Sequence, residues 1–144
     1  MTNDALFYTC SLIEFIARKS SHTHKEVIEF LGSDLDRIYK YHDVFHCEPI
    51  EKVADDFMQR CSIGVGNTNY IEKCRYEIPD YWDIGEVFQR LIEDCYPEEK
   101  YIDGIKAVFR SWIAVKISNY NSDLYYQPRD YLAECYKTGE LLVA

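Results

Sequence analysis

Glycine and proline are scarce in this sequence, at six and four of 144 residues. That excludes a disordered or low-complexity chain, as does a content of 47% hydrophobic and 28% charged residues. No apolar run approaches the roughly 20 residues that cross a bilayer. No Lys/Arg cluster or basic tail is present, so nothing gathers the charge needed to neutralise phosphates, and direct binding to nucleic acid is not expected. The six cysteines contain no CxxC pair. Asn3 and Asp4 stand where a secretory leader would carry basic residues. A cytoplasmic protein with reduced thiols, several of them in the core, is the expectation. There is no GxSxG elbow, and "GVG" at 64–66 lacks the strand and helix of a phosphate loop, so it reads as a turn.

What is present is acidic charge, aromatic surface and helical periodicity. The formal net charge is −9, and it is even along the chain: 11 acidic and seven basic residues over 1–62, 14 and nine over 63–144. Such a charge suits a basic partner. A chain of this length buries roughly 70% of its unfolded surface, enough for one core without disulfides or structural metal.

The apolar spacing predicts an all-α, compact bundle of about seven helices with one short extended segment near 70–78. It forms a single domain over 1–144, with possible sub-halves 1–62 and 70–144. A first helix over 4–19, capped by Thr2 or Asn3, is apolar around much of its circumference through Leu6, Phe7, Cys10, Leu12, Ile13, Phe15, Ile16 and Ala17. Such a helix is central in the core or packed on a second molecule. Thr23 and Glu26 form a capping box for a second helix that Gly32 can end. Ser33 with Asp36 starts a third helix, with Leu35, Ile38, Tyr39, His42 and Phe45 or His46 on one face. Pro49 begins a fourth, with Ile50, Val53, Ala54, Phe57, Met58 and Cys61 at helical spacing. Residues 62–69 are the best internal break. Asp83 with Glu86 is a second capping box, one long helix is expected to run from Pro97 to the 119–122 loop, and a last one from Pro128 to Gly139.

Two stretches carry candidate chemistry. "YHDVFHC" at 41–47 sets His42, Asp43, His46 and Cys47 close together, and histidines four apart on a helix can share a metal ion. His22 or His24 could supply a further ligand. The simpler reading is structural: His42 continues an apolar stripe, and His46 lies near a helix C-terminus, where the dipole favours a protonated ring. No cofactor is therefore expected; a divalent metal ion is the alternative. The second stretch is "YNSDLYYQPRDYLAECY" at 120–136, part of a bias that places ten of 13 tyrosines after residue 63. Tyrosines anchor protein interfaces, but they also close small cores as half-buried rings. The candidate interaction residues are Tyr120, Tyr125, Tyr126 and Tyr131, with Phe7 and Phe15 of the first helix.

Two resemblances bear on these stretches. The "HDVFH" segment resembles the His-Asp pair of the HD phosphohydrolase superfamily, all-helical enzymes that hold one or two divalent metals. On that resemblance His22 or His24, His42, Asp43 and Asp103 would hold metal, and a metal-bound water would attack a phosphate ester. Separately, "LFYTCSLIEFI", "HKEVIEFL", "IYKYHDVFH" and "VADDFM" within residues 5–62 resemble a small bacterial helical family of unknown function, often encoded beside toxin-like genes. That likeness implies a protein–protein interaction or regulatory module, an antitoxin-like partner of a neighbouring gene product. The aromatic surface equally suits a homo-oligomer, and the composition leaves neither nucleic acid nor membrane as an expected partner.

Overall fold

The computed structural model describes residues 4–70, 72 and 74–142. Its elements are α1 (Asp4–Ser20), α2 (His24–Leu31), α3 (Asp34–Lys40), α4 (His42–Phe45), α5 (Ile50–Arg60), α6 (Tyr81–Cys95), α7 (Tyr101–Phe109), α8 (Trp112–Ile117) and α9 (Arg129–Thr138). Two single 3-10 turns, Glu98–Lys100 and Leu124–Tyr126, complete them. The fold is all-α, and no strand occurs among the described residues. The segment near 70–78 is irregular where described, and the capping role expected of Thr2 or Asn3 lies outside the described residues.

Helix α1 is wide in its apolar surface because it is central. It packs against α2, α3, α4 and α5 on its sides and most extensively against α6, and Leu6, Cys10, Leu12, Ile13, Ile16 and Ala17 are sealed from solvent. One continuous core joins these to Phe88, Leu91 and Ile92 of α6 and to Ile105, Val108 and Phe109 of α7. Residues from both halves of the sequence thus contribute to this core. Gly85 marks the closest approach: a Cβ there would lie 2.8 Å from Ser11 Cα, so only glycine lets α6 lie this near α1.

Caps decide several boundaries. The Thr23–Glu26 capping box forms in both directions at the start of α2, and Gly32 ends it at φ 52°. Gly139 closes α9 in the left-handed region. Other expectations move. Helix α6 begins ahead of the Asp83–Glu86 pair, because the Asp80 carboxylate accepts from the Trp82 amide at 2.6 Å and draws Tyr81 and Trp82 into the helix. The single helix expected after Pro97 is two, α7 and α8. Ser111 is extended (ψ 167°), and its hydroxyl donates to the Val108 carbonyl at 2.6 Å, taking an acceptor the continuing helix would need. Likewise α3 stops at Lys40, and Tyr41 (φ −109°, ψ 27°) separates it from α4.

Between α5 and α6 the chain lies across the α1–α2 turn. The Gly66 amide donates to the Ser20 carbonyl at 2.7 Å and the Thr68 amide to Ser21 at 2.8 Å, while the Tyr70 hydroxyl donates to the His22 carbonyl at 2.6 Å. His22 returns a bond from its Nε2 to the Gly64 carbonyl at 2.8 Å. No Cβ fits at Gly66, where it would meet the Ser21 carbonyl oxygen and sit 2.6 Å from His22 Nδ1.

Candidate functional site

The "YHDVFHC" residues do not converge. His42 turns back to donate from Nδ1 to the Tyr39 carbonyl at 3.2 Å. The Asp43 carboxylate turns back to accept from the adjacent Val44 amide. His46, although exposed, lays its ring 5.1 Å from that of Tyr8 and 5.9 Å from that of Trp82. His22 belongs to the α1–α2 turn, where it packs on Phe30 and holds Gly64. The break at Tyr41 separates both histidines from α3, and on the isolated turn that follows each has its own partner. Among the described residues no three His, Cys, Asp or Glu side chains could hold a metal ion together. Cys47 is exposed, whereas Cys10 and Cys135 are buried; all six cysteines are free.

The most concentrated polar chemistry lies in the core. Glu14 stands on the buried face of α1 with its side chain fully enclosed. His24 Nε2 meets its Oε1 at 2.6 Å, and Arg18 Nε, one helical turn on, meets its Oε2 at 2.7 Å. The Tyr120 hydroxyl, arriving from the loop after α8, donates to the same Oε2 in a short hydrogen bond. Arg18 also donates to the Pro79 carbonyl at 2.7 Å and lies over the Tyr120 ring. The His24 ring sits among Phe88, Phe109 and Tyr70 at centroid distances of 5.4–5.6 Å.

Burial alone would push the Glu14 carboxyl up. The charge and hydrogen bond of His24, then Arg18 and Tyr120, overcome it and hold the group down at about 2. The same site raises Tyr120 well above an ordinary phenol, first through burial and then through the Glu14 charge. Both carboxylate oxygens are occupied by partners from within the chain, so this quartet is structural in its geometry. Its sequence signal was the i,i+4 pair Glu14–Arg18 inside an apolar stripe; nothing local pointed to Tyr120.

The aromatic candidates divide sharply. Tyr120 is buried in the quartet. Phe7 and Phe15 are half-buried under Trp82 (5.4 Å) and Tyr81 (4.9 Å), so the breadth of α1 is met within the chain. Tyr131 is half-buried and donates its hydroxyl to the Leu142 carbonyl at 2.8 Å. Tyr125 and Tyr126, on the 3-10 turn, form the wall of an open groove. Tyr125 stands edge-on to Tyr120 at 6.4 Å and to Tyr126 at 5.0 Å, and Tyr126 is 67% exposed.

This groove has a volume of about 300 Å³. Its floor is Val87 and Leu91 of α6 with Leu132 of α9, and its rim includes Asp83, Glu86, Arg90 and Arg129. Positions 83, 87 and 91 recur at i,i+4 spacing, which places them along one face of α6. Glu86 pairs with Arg90, and Arg129 reaches Asp94 at 2.8 Å and Glu93 at 3.6 Å, so both rim arginines are engaged by carboxylates of the same chain. The aliphatic floor residues were not singled out from sequence because they belong to stripes whose other members fill the core.

No helix among the described residues is long and apolar enough to cross a membrane. Compared with known proteins, the chain matches no family model, no curated protein and no solved structure.

Proposed function

We propose that this chain is a non-enzymatic, cytoplasmic protein-interaction module that docks a protein partner in the groove between α6, the Tyr125–Tyr126 turn and α9. The observation that carries the reading is the Tyr125–Tyr126 wall over an aliphatic floor. A large exposed aromatic ring beside an apolar depression is the arrangement found at the anchoring centres of interfaces. Its support is rigid: Tyr125 rests against Tyr120, and Tyr120 is held by Glu14. A wall already fixed in place loses little side-chain freedom on binding. The resemblance of residues 5–62 to a helical family encoded beside toxin-like genes extends the reading to a regulatory, antitoxin-like partner of a neighbouring gene product.

The test is co-purification with the products of adjacent genes, comparing the natural chain with Tyr126→Ser and with the double variant Tyr125→Ala/Tyr126→Ala. Tyr126 is mostly exposed, so its replacement should leave the melting temperature unchanged while lowering partner yield several-fold. Full partner yield from both variants would refute this surface.

A further inference from the structure

The two halves of the chain carry similar net charge, but folding brings an acidic stretch of one segment against the acidic residues of another. Helix α6 and its lead-in carry Glu77, Asp80, Asp83, Glu86, Glu93 and Asp94 against the single base Arg90. The turn and helix facing it across the groove carry Asp123, Asp130 and Glu134 against Arg129 and Lys137. Residues 77–94 and 123–138 thus hold −6 of the chain's −9, leaving the other 110 residues at −3. Contacts in space bind this set to the groove. Asp83 and Glu86 line it, and Asp94 is paired to Arg129 on its rim. Asp130 and Glu134 continue along α9 beside Asp94, with Lys137 as the base at its far end.

From this we infer that the groove accepts a basic amphipathic segment of another protein, aliphatic side chains inserting between Leu91, Leu132 and Tyr126 and lysines or arginines meeting the flanking carboxylates. The inference rests on the interaction reading above and names the chemistry of its partner. Both rim arginines are paired to carboxylates of the chain, and Asp83, Asp130 and Glu134 remain in excess over them. A second copy of this chain would bring −6 against −6, so charge opposes self-association through this face and favours a different, basic partner. About 300 Å³ holds a few aliphatic side chains, the scale of an amphipathic helix laying one stripe into a groove between two helices.

The experiment is fluorescence anisotropy of the full chain with three labelled helical peptides that share one leucine stripe and carry lysine, glutamine or glutamate elsewhere, with amide shifts locating the contact. The lysine peptide should bind best, move amides of α6 and α9, and weaken as salt rises from about 50 to about 300 mM. Neutralising Asp83→Asn and Glu134→Gln should cost roughly 2- to 5-fold each, while Glu98→Gln/Glu99→Gln, away from the groove, should change nothing. Tyr126→Ala should weaken the lysine peptide as well. Equal binding of the glutamine peptide, with Tyr126 dependence kept, would overturn the basic partner and leave the groove standing. Equal loss on neutralising Glu98 and Glu99 would reduce the effect to general charge and overturn it too. Indifference of every peptide to Tyr126→Ala, together with an intact natural complex, would sink the interaction surface itself.

Discussion

Glu14→Gln is the substitution whose consequences follow most directly from the fold. It keeps the shape of the side chain and removes the one charge that His24, Arg18 and Tyr120 all address. The native carboxyl is held at about 2 against an ordinary 4.5, a difference worth about 3 kcal/mol. Because the folded value is depressed, the unfolded chain takes up the proton first as pH falls. The stabilisation is therefore complete above about pH 5.5, shrinks through the ordinary carboxyl range, and is exhausted near the folded value, with about 2 kcal/mol already lost by pH 3. Near neutrality Glu14→Gln should lower unfolding free energy by about 3 kcal/mol, because Arg18 and His24 would be left facing an uncharged amide. Urea unfolding followed by far-ultraviolet circular dichroism, between about pH 3 and pH 7, measures both chains. The gap between them should close as pH falls. A gap that stays constant over that range would refute the assignment of this stabilisation to the Glu14 charge, since every other carboxylate is common to the two proteins.

Two further outcomes test the packing. Gly66→Ala should cost about 1–3 kcal/mol, because the added methyl meets a backbone oxygen that cannot swing aside; an unchanged melting temperature would show that the 64–70 segment is not clamped as described. In the folded protein Cys47 should be labelled by a thiol reagent long before Cys10 and Cys135, which lie in the core, with burial raising the Cys10 thiol further. Mass mapping of the labelled sites checks the order, and early labelling of Cys10 would contradict the enclosure of α1.

Local patterns showed much of this architecture. The stripes of α1 and α5 could be traced because an apolar face repeats every three or four residues, and the Thr23–Glu26 box could be read because its bonds span three residues. What escaped was decided by single hydroxyls or by distance. Ser111 splits the helix expected after Pro97 with one side-chain bond, invisible to a periodicity that continues on both sides. Tyr120 looked like its neighbours Tyr125 and Tyr126, yet it is buried because its partner lies 106 positions away. The acidic face had no signature either, since its charges come from two stretches more than 25 residues apart.

The buried carboxylate of Glu14 also acts as a checkpoint on assembly. Hydrophobic stripes tolerate slippage, since one leucine can replace another in a neighbouring hole, but a single buried anion cannot be satisfied by approximate neighbours. Helix α2 turned so that His24 faces away, or the loop after α8 shifted so that Tyr120 withdraws, would leave Glu14 in apolar surroundings with too few donors. Wrong registers that bury as much apolar surface as the native one are thereby raised in energy. The same logic ties the residues together in any exchange: an apolar residue in place of Glu14 alone would leave Arg18 and the buried His24 without their carboxylate, so the set is replaced at least cost as a unit.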